Sequence, residues 1–232
     1  MIYLHQYPPA WGLSSLSPFC IKVEAFLRHN QLAYEVVVER NPRRGPKGKM
    51  PFVVDKGVSI ADSSFIISSF IRDYNLEGYN KVSSTQKAAA HAFEKMIEEN
   101  LYFILMYARW VDPESRRKTV SEFAKLFPPV IGALFLKLIR RNLAQQAYLQ
   151  GIGRHTANEV YAKAEQDLQA LSDYMQEQQY FLGSVWSPID ASLFGFLVTM
   201  MRQPVAPQLK ELVQKFSNLI AYAEREAKRL SL

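Results

Sequence analysis

The sequence predicts a mixed α/β domain followed by a domain built only from helices. Short segments rich in β-branched and aromatic residues occur before residue 62, and they alternate with amphipathic helical stripes. Beyond about residue 80 the apolar residues recur at helical spacing and no strand pattern follows. A polar stretch at residues 75–84 separates the two patterns. We therefore expect domains at residues 1–76 and 83–232.

The first domain is predicted to follow the order β-α-β-loop-β-β-α, which makes a small mixed sheet with helices on its faces. Pro8-Pro9 ends the first strand, a Pro- and Gly-rich loop fills residues 41–48, and Lys56-Gly57 makes a hairpin turn. The predicted elements are strands at residues 2–7, 34–38, 52–55 and 58–60, a helix at 19–29, and a helix after residue 62.

The second domain is predicted to contain about five or six helices, whose starts are set by capping residues. Thr156 and Glu159 make one capping box, and Ser187 and Asp190 make another. The predicted helices are a long one across residues 89–108, one that starts at 112–114 and bends at Pro128-Pro129, one after residue 156, one after residue 187, and a last one across residues 209–220.

The composition is that of an ordinary globular protein. Hydrophobic residues make up 48% of the chain and charged residues 22%, which excludes disordered and disulfide-scaffold classes. The net charge is +6, and residues 81–151 carry 11 Lys or Arg against 6 Asp or Glu. This excess favours anionic small molecules or an acidic surface. It is too dilute for a nucleic-acid groove, so we expect no nucleic-acid partner.

Three features favour a cytoplasmic protein. Cys20 is the only cysteine, so no internal disulfide can form and a reducing compartment fits. The most apolar run, residues 127–136, is far shorter than the roughly 20 residues that a transmembrane helix needs. The first residues show no secretory signal pattern.

Ser17-Pro18-Phe19-Cys20 places a hydroxyl and a thiol at the start of the first helix. Unpaired N–H groups and the positive end of the helix dipole favour an anion there, so Ser17 could donate a hydrogen bond to the thiolate of an incoming ligand. Two simpler interpretations stay open: Ser17 is only an N-cap, and Cys20 is only buried packing. Cys20 is also a rival nucleophile, because the pKa of a thiol near a helix start can fall.

Two more polar features lie at strand–helix junctions of the first domain, where α/β folds place ligands. Lys49-Met50-Pro51 precedes a strand, and a cis Met50–Pro51 bond would let the Met50 backbone face an extended peptide ligand. Asp62-Ser63 starts a helix with a carboxylate and a hydroxyl that could hold an ammonium and a carboxylate together. Helix capping alone also explains one of these two residues.

In combination, these motifs resemble the glutathione transferase superfamily. Ser17-Pro18-Phe19-Cys20 is similar to the Ser-Pro-Phe of its tau class and the Cys-Pro-Phe/Tyr of its omega class. Lys49-Met50-Pro51-Phe52 resembles its cis-Pro element, Asp62-Ser63 its acidic-Ser pair, and Ser187-x-x-Asp190 its sixth-helix capping box. The segments most similar to its failed-axon-connections and metaxin branch are residues 16–24, 47–52, 60–67 and 218–222.

The resemblance implies a thioredoxin-like N-terminal domain, a helical C-terminal domain, glutathione as co-substrate and no metal. Ser17 would lower the pKa of the bound thiol, and the thiolate would attack a small hydrophobic electrophile. A homodimer is also expected from the resemblance. The glutathione-binding residues would be Lys49, Met50, Pro51, Asp62 and Ser63. The co-substrate pocket would be lined by Trp11, Tyr102, Met106, Tyr107 and Trp110, although such residues on a helix more commonly form core.

The same resemblance leaves a second function open, that of a non-catalytic metaxin-like adaptor or a peripheral membrane-surface protein. Lys137, Arg140 and Arg141 follow the apolar run at residues 127–136. Basic residues beside an apolar face suit an anionic lipid surface. A buried helix whose end carries cations is the other interpretation of these residues.

Overall fold

A four-stranded sheet occupies the first part of the chain. The computed structural model describes residues 1–76, 82–125 and 129–232. The strand order is β2-β1-β3-β4, with β1 parallel to β2 and the other neighbours antiparallel. The elements here are β1 (Ile2–Gln6), α1 (Pro18–His29), β2 (Tyr34–Val38), a short 3-10 turn (Pro42–Arg44), β3 (Phe52–Asp55), β4 (Val58–Ala61) and α2 (Ser63–Asp73).

Helices make up the rest of the described chain, which confirms the predicted class of an α/β unit followed by an all-α unit. Eight α-helices lie in the described residues beyond 82, against the five or six expected. They are α3 (Ser84–Lys95), α4 (Tyr102–Trp110), α5 (Arg116–Ala124), α6 (Pro129–Gln150), α7 (Ala157–Met175), α8 (Pro188–Arg202), α9 (Pro207–Val213) and α10 (Ser217–Leu230), with a π-helical segment at Met96–Leu101 and a 3-10 turn at Ile152–Arg154.

Helix boundaries differ from the prediction in several places. The helix expected at residues 112–114 starts only at Arg116, because Asp112 closes a turn first: its carboxylate accepts hydrogen bonds from Glu114 N–H and Ser115 Oγ, both at 3.1 Å. The single last helix is in fact two, since α9 ends at Val213 and α10 begins after a turn. Of the bend expected at Pro128-Pro129, the first residue lies outside the described ranges and the second begins α6.

The long helix expected at residues 89–108 is divided by the π-helical segment. A π-helical turn holds extra backbone and rotates the side chains that follow it, and such turns are frequent at functional sites. Here the segment buries Ile97, Glu98 and Leu101. A glutamate therefore lies inside the protein, between the sheet part and the helices.

Among the helix pairs in the described residues, α1 and α8 have the most extensive contact. They cross at Gly195, where an added Cβ would be 2.6 Å from the Pro18 carbonyl oxygen and 3.1 Å from Lys22 N. Only glycine permits this approach. The first turn of α1, next to Ser17, is therefore held by the helical part of the chain.

The predicted capping box at the start of α8 is confirmed and is fully buried. The Asp190 carboxylate accepts hydrogen bonds from Ser187 N–H at 2.9 Å, Phe181 N–H at 2.8 Å and Tyr222 Oη at 3.1 Å. Burial raises the pKa of Asp190 to about 6, although these hydrogen bonds oppose the rise.

This raised pKa predicts a pH dependence of stability. Between about pH 4 and pH 6 the folded chain holds a proton on Asp190 that the unfolded chain has lost, so the contribution of this group to stability falls as the pH rises through that window. From pH 7 to pH 4, the free energy of unfolding should increase by about 2 kcal/mol relative to an Asp190→Asn variant. Denaturant unfolding of both proteins at each pH tests this, and a constant difference would contradict it.

None of the helices in the described ranges is both long and apolar enough to span a bilayer. The apolar run at residues 127–136 begins outside these ranges. Of its described side chains, Leu136 is fully buried.

Candidate active site

Two of the predicted site segments emerge at the same end of the sheet. In the β3–β4 hairpin Phe52 pairs with Ala61, and in the β1–β3 ladder His5 pairs with Phe52. Met50-Pro51 immediately precedes this pair and Asp62 immediately follows it. The register therefore brings the Met50 and Asp62 segments and the end of β1 to one edge.

A small apolar cluster joins α1 to that edge. Cys20, in the first turn of α1, packs with Met50, Phe52 and Ala61, and the half-buried Tyr7 lies against them. The start of α1, the Pro51 segment and the start of α2 are consequently neighbours. This is the arrangement that a single ligand lying across three segments requires.

Ser17 is the N-cap residue of α1, but its side chain makes no capping hydrogen bond. Its carbonyl oxygen accepts from the N–H groups of Cys20 and Ile21, both at 3.1 Å. Its hydroxyl lies close enough to the Cys20 sulfur to lower the pKa of that thiol. Ser17 is half-buried, so rotation about its Cα–Cβ bond can turn the hydroxyl from the buried sulfur toward a ligand.

Cys20 is fully buried. Burial raises the pKa of its thiol to about 11, although hydrogen bonds from the Tyr7 backbone and from the hydroxyls of Ser15 and Ser17 act in the opposite direction. The thiol is therefore protonated at neutral pH. The geometry disfavours Cys20 as a nucleophile, because the thiolate is the reactive form.

Because Cys20 is the only thiol in the chain, its reactivity can be measured without ambiguity. We expect an alkylating reagent at neutral pH to modify the native protein at least about tenfold more slowly than the unfolded protein. The reason is that few native molecules expose Cys20 as a thiolate at any moment. Mass spectrometry over time gives both rates. Equal rates would show that Cys20 is open and ionised, and would restore it as a rival nucleophile.

The Met50–Pro51 peptide bond is cis. The Met50 side chain is buried, while Lys49 is exposed and its Nζ donates to Gln146 Oε1 on α6 at 3.4 Å. The Lys49 ammonium thus lies at the rim of this edge, beside the helical part.

Asp62 begins α2 with an unusual backbone. Its φ angle is 84°, which is rare for residues other than glycine, and its Oδ1 accepts from Ser64 N–H at 3.0 Å. The carboxylate is exposed, whereas Ser63 is buried. An exposed carboxylate beside the free N–H groups of a helix start can hold both the ammonium and the carboxylate of an amino acid.

A charged cluster, consisting of Lys22, Ser64, Glu94, Glu98 and Ser192, lies behind this helix start. Ser64 and Glu94 are half-buried and the other three are buried. Lys22 Nζ is 2.5 Å from Glu98 Oε1, 2.9 Å from Glu94 Oε1 and 3.4 Å from Ser64 Oγ. Ser192 Oγ donates to both carboxylates. Burial alone would lower the pKa of Lys22, but the two carboxylates raise it above its ordinary value. The cluster ties α1, α2, α3 and α8 together at the site.

The predicted co-substrate residues are divided between the site and the core. Trp11 and Tyr102 are half-buried, and Tyr102 packs edge-on against Phe19 with ring centroids 5.1 Å apart. The helical core buries the remaining three, which are Met106, Tyr107 and Trp110.

Tyr7 is a site residue that the sequence analysis missed. It follows β1 at the same edge, and burial, then Cys20 and Tyr102, raise the pKa of its hydroxyl well above the usual range. The neutral hydroxyl is a second candidate hydrogen-bond donor near the Cys20 cluster. A signal was present, since Tyr7 directly follows a strand whose end meets this edge.

In the described part of the chain, His, Cys, Asp and Glu form no group of three or more that could hold a metal ion.

Comparison with known proteins assigns this chain to one family. A model of the glutathione S-transferase N-terminal domain matches residues 18–115, and a model of the C-terminal domain matches residues 164–226. The chain is 30% identical over 240 residues to an isoprene-epoxide–glutathione S-transferase from Rhodococcus sp. (strain AD45), with 100% of both chains covered. The chain belongs to the glutathione S-transferase superfamily.

Other relatives lie in the metaxin-like branch of that superfamily. The chain is 30% identical to Failed axon connections of Drosophila melanogaster, over 97% of this chain and 57% of that protein. It is 26% identical to Metaxin-2 of Mus musculus, over 88% and 79%. A glutathione S-transferase structure from Methylobacterium radiotolerans, in complex with glutathione sulfonate, has the same fold, with a TM-score of 0.65, 16% identity and coverage of 98% and 91%.

Proposed function

We propose that this protein is a glutathione S-transferase that conjugates the thiolate of glutathione to a small hydrophobic electrophile, such as an epoxide. One observation carries the proposal: the Ser17, Met50 and Asp62–Ser63 segments meet at one sheet edge around the cluster that contains Cys20. The similarity to an isoprene-epoxide–glutathione S-transferase along the full chain supports an epoxide as the electrophile.

Each segment has a separate task in this proposal. Asp62, Ser63 and the N–H groups at the start of α2 hold the γ-glutamyl ammonium and carboxylate. The backbone of Met50 pairs with the cysteinyl main chain, beside Pro51, and Lys49 attracts the glycyl carboxylate from the rim. This places the glutathione sulfur near Ser17, where its hydroxyl donates to the thiolate.

The proposed reaction is a single displacement. The glutathione thiol loses its proton, the sulfur forms a bond to an epoxide carbon, and the carbon–oxygen bond breaks with its electron pair remaining on oxygen. That oxygen takes up a proton from water, so the product is a hydroxy thioether. Ser17 forms no covalent bond, and Ser-x-x-Cys cannot form the disulfide that thiol–disulfide exchange uses. Trp11 and Tyr102, both half-buried, would contact the electrophile.

The test is a steady-state assay of thiol consumption with a small epoxide and, separately, an aryl halide. The proposal predicts a rate that is proportional to protein and saturates with glutathione. A rate no faster than that of glutathione and epoxide in buffer, for every electrophile of this kind, would contradict it. The cytoplasmic location and the homodimer stay predictions.

One observation favours the second function, a peripheral membrane-surface protein. Leu138, Arg141, Tyr148 and Leu149 form an exposed stripe on α6 at helical spacing, and the two leucines are 60% and 67% exposed. Apolar and basic side chains on one exposed face suit an anionic lipid surface. Co-sedimentation with vesicles of anionic lipid at low salt would support this function, and no sedimentation would reject it.

A further inference from the structure

Arg109, in the last turn of α4, is a buried cation that lacks a complete set of acceptors. Its Nε donates to Gln203 Oε1 at 2.7 Å, and its Nη1 donates to the Leu16 carbonyl oxygen at 3.3 Å. Its Nη2 has no hydrogen-bond partner among the described residues, and neither does the Gln203 amide nitrogen. Two buried donors therefore lie side by side without an acceptor.

No carboxylate of the described residues lies within 4.0 Å of Arg109. A buried charge is normally paired, because an unpaired one loses its hydration without compensation. Burial lowers the pKa of Arg109 to about 10, so the guanidinium still carries its charge at neutral pH. The protein thus keeps an uncompensated positive charge in a place of low dielectric.

This charge is held against the chain one residue before Ser17, the residue that the proposed function puts beside the glutathione sulfur. Leu16, which Arg109 contacts, directly precedes Ser17. Cys20 and Tyr7 are neutral, and the Lys22 cluster carries one surplus carboxylate, which opposes an anion.

We propose that Arg109 is a positioning residue that supplies the countercharge for the thiolate of bound glutathione, while its hydrogen bond to Leu16 holds the Ser17 backbone. The inference rests on the proposed function. A fixed cation in a water-poor site favours a nearby anion far more than the same cation in water. The ligand then compensates the charge that the chain leaves unpaired.

Arg202 offers a matched control, because it restrains the same loop. Its Nη1 donates to the Gly12 carbonyl oxygen at 2.9 Å and its Nη2 to the Leu232 carbonyl oxygen at 3.1 Å. Unlike Arg109, it is half-exposed, so water screens its charge. Replacing it should loosen the loop without removing a buried charge.

Gln203→Glu is the sharpest test, because it cancels the charge of Arg109 and leaves the arginine in place. The new carboxylate would keep the bond from Nε and would give a buried cation its partner, so the variant should fold. We would measure the pKa of the thiol of bound glutathione from thiolate ultraviolet absorbance, in wild type, Gln203→Glu, Arg109→Gln and Arg202→Gln.

The inference predicts that this thiol pKa rises by about one unit in Gln203→Glu and in Arg109→Gln, which is about tenfold less thiolate below that pKa, and stays unchanged in Arg202→Gln. An unchanged thiol pKa in Gln203→Glu would overturn this inference and would mean that Arg109 only restrains the loop through its hydrogen bond to Leu16. Calorimetry separates the two failures: wild type that binds no glutathione overturns the proposed function as well, whereas wild type that binds it with no response to Gln203→Glu overturns this inference alone.

Discussion

Replacing Ser17 by alanine is expected to lower kcat/KM for glutathione conjugation by about 10²–10³-fold, the usual loss when one preorganised donor to a developing or bound anion is removed. The reason is that Ser17 provides the hydroxyl at the start of α1 without using it as a helix cap. Glutathione affinity should change little, because in the proposed function Asp62 and Ser63, and not Ser17, hold the γ-glutamyl end. Steady-state kinetics and calorimetry together measure both quantities.

Two variants make this prediction specific. Ser14→Ala removes a hydroxyl from the same loop, and that hydroxyl is buried without a partner among the described residues, so turnover should stay near that of wild type. Tyr7→Phe removes the second donor at the site. If Tyr7→Phe loses the activity and Ser17→Ala retains it, then Tyr7 stabilises the thiolate and the role proposed for Ser17 is wrong.

Replacing Lys22 by methionine is expected to lower the free energy of unfolding by about 3–5 kcal/mol, because it leaves the buried Glu98 and the half-buried Glu94 without their cation. Lys22 is fully buried, and Glu98 is nearly so. Unlike the ammonium of a surface lysine, the Lys22 ammonium has no contact with water in the folded protein. Chemical denaturation of both proteins at neutral pH measures the difference.

Lys215→Met is the matched control, since Lys215 Nζ is 2.7 Å from Glu165 Oε1 but both side chains are exposed. Its loss should cost no more than about 1 kcal/mol. Adding Glu98→Gln to Lys22→Met should recover part of the lost stability, because one uncompensated charge disappears. Equal effects of the Lys22 and Lys215 substitutions would mean that the cluster does not stabilise the fold.

Most of the fold was predictable because its elements depend on residues that are close together in the sequence. The capping box of Ser187 and Asp190 and that of Thr156 and Glu159 are both present, since each depends on residues three positions apart. The predicted start of α5 was wrong because the Asp112 carboxylate accepts a hydrogen bond within a turn and does not cap a helix. The helices α9 and α10 were merged, because the apolar spacing continues through the turn at Phe216.

The candidate site was predictable where a residue type or a helix start marks it, as at Ser17, Met50 and Asp62. Lys22 and Arg109 were not found, because a cation in a helix has the same sequence pattern whether it faces water or the core. Tertiary contacts bury them. Lys22 is covered by the close approach of α8 at Gly195 and by the π-helical segment that turns Glu98 inward, and Arg109 contacts Gln203 and Leu16. Such contacts depend on residues tens of positions apart.

The central claim is that this sheet edge binds glutathione, and calorimetric titration of glutathione into the protein tests it most directly. Asp62→Asn is the control, because asparagine keeps an oxygen to cap α2 and removes only the charge. We predict saturable binding to wild type and affinity at least about tenfold lower in Asp62→Asn, the usual cost of losing a charged hydrogen-bond partner. No heat of binding at millimolar glutathione, or equal affinity in both proteins, would contradict the account.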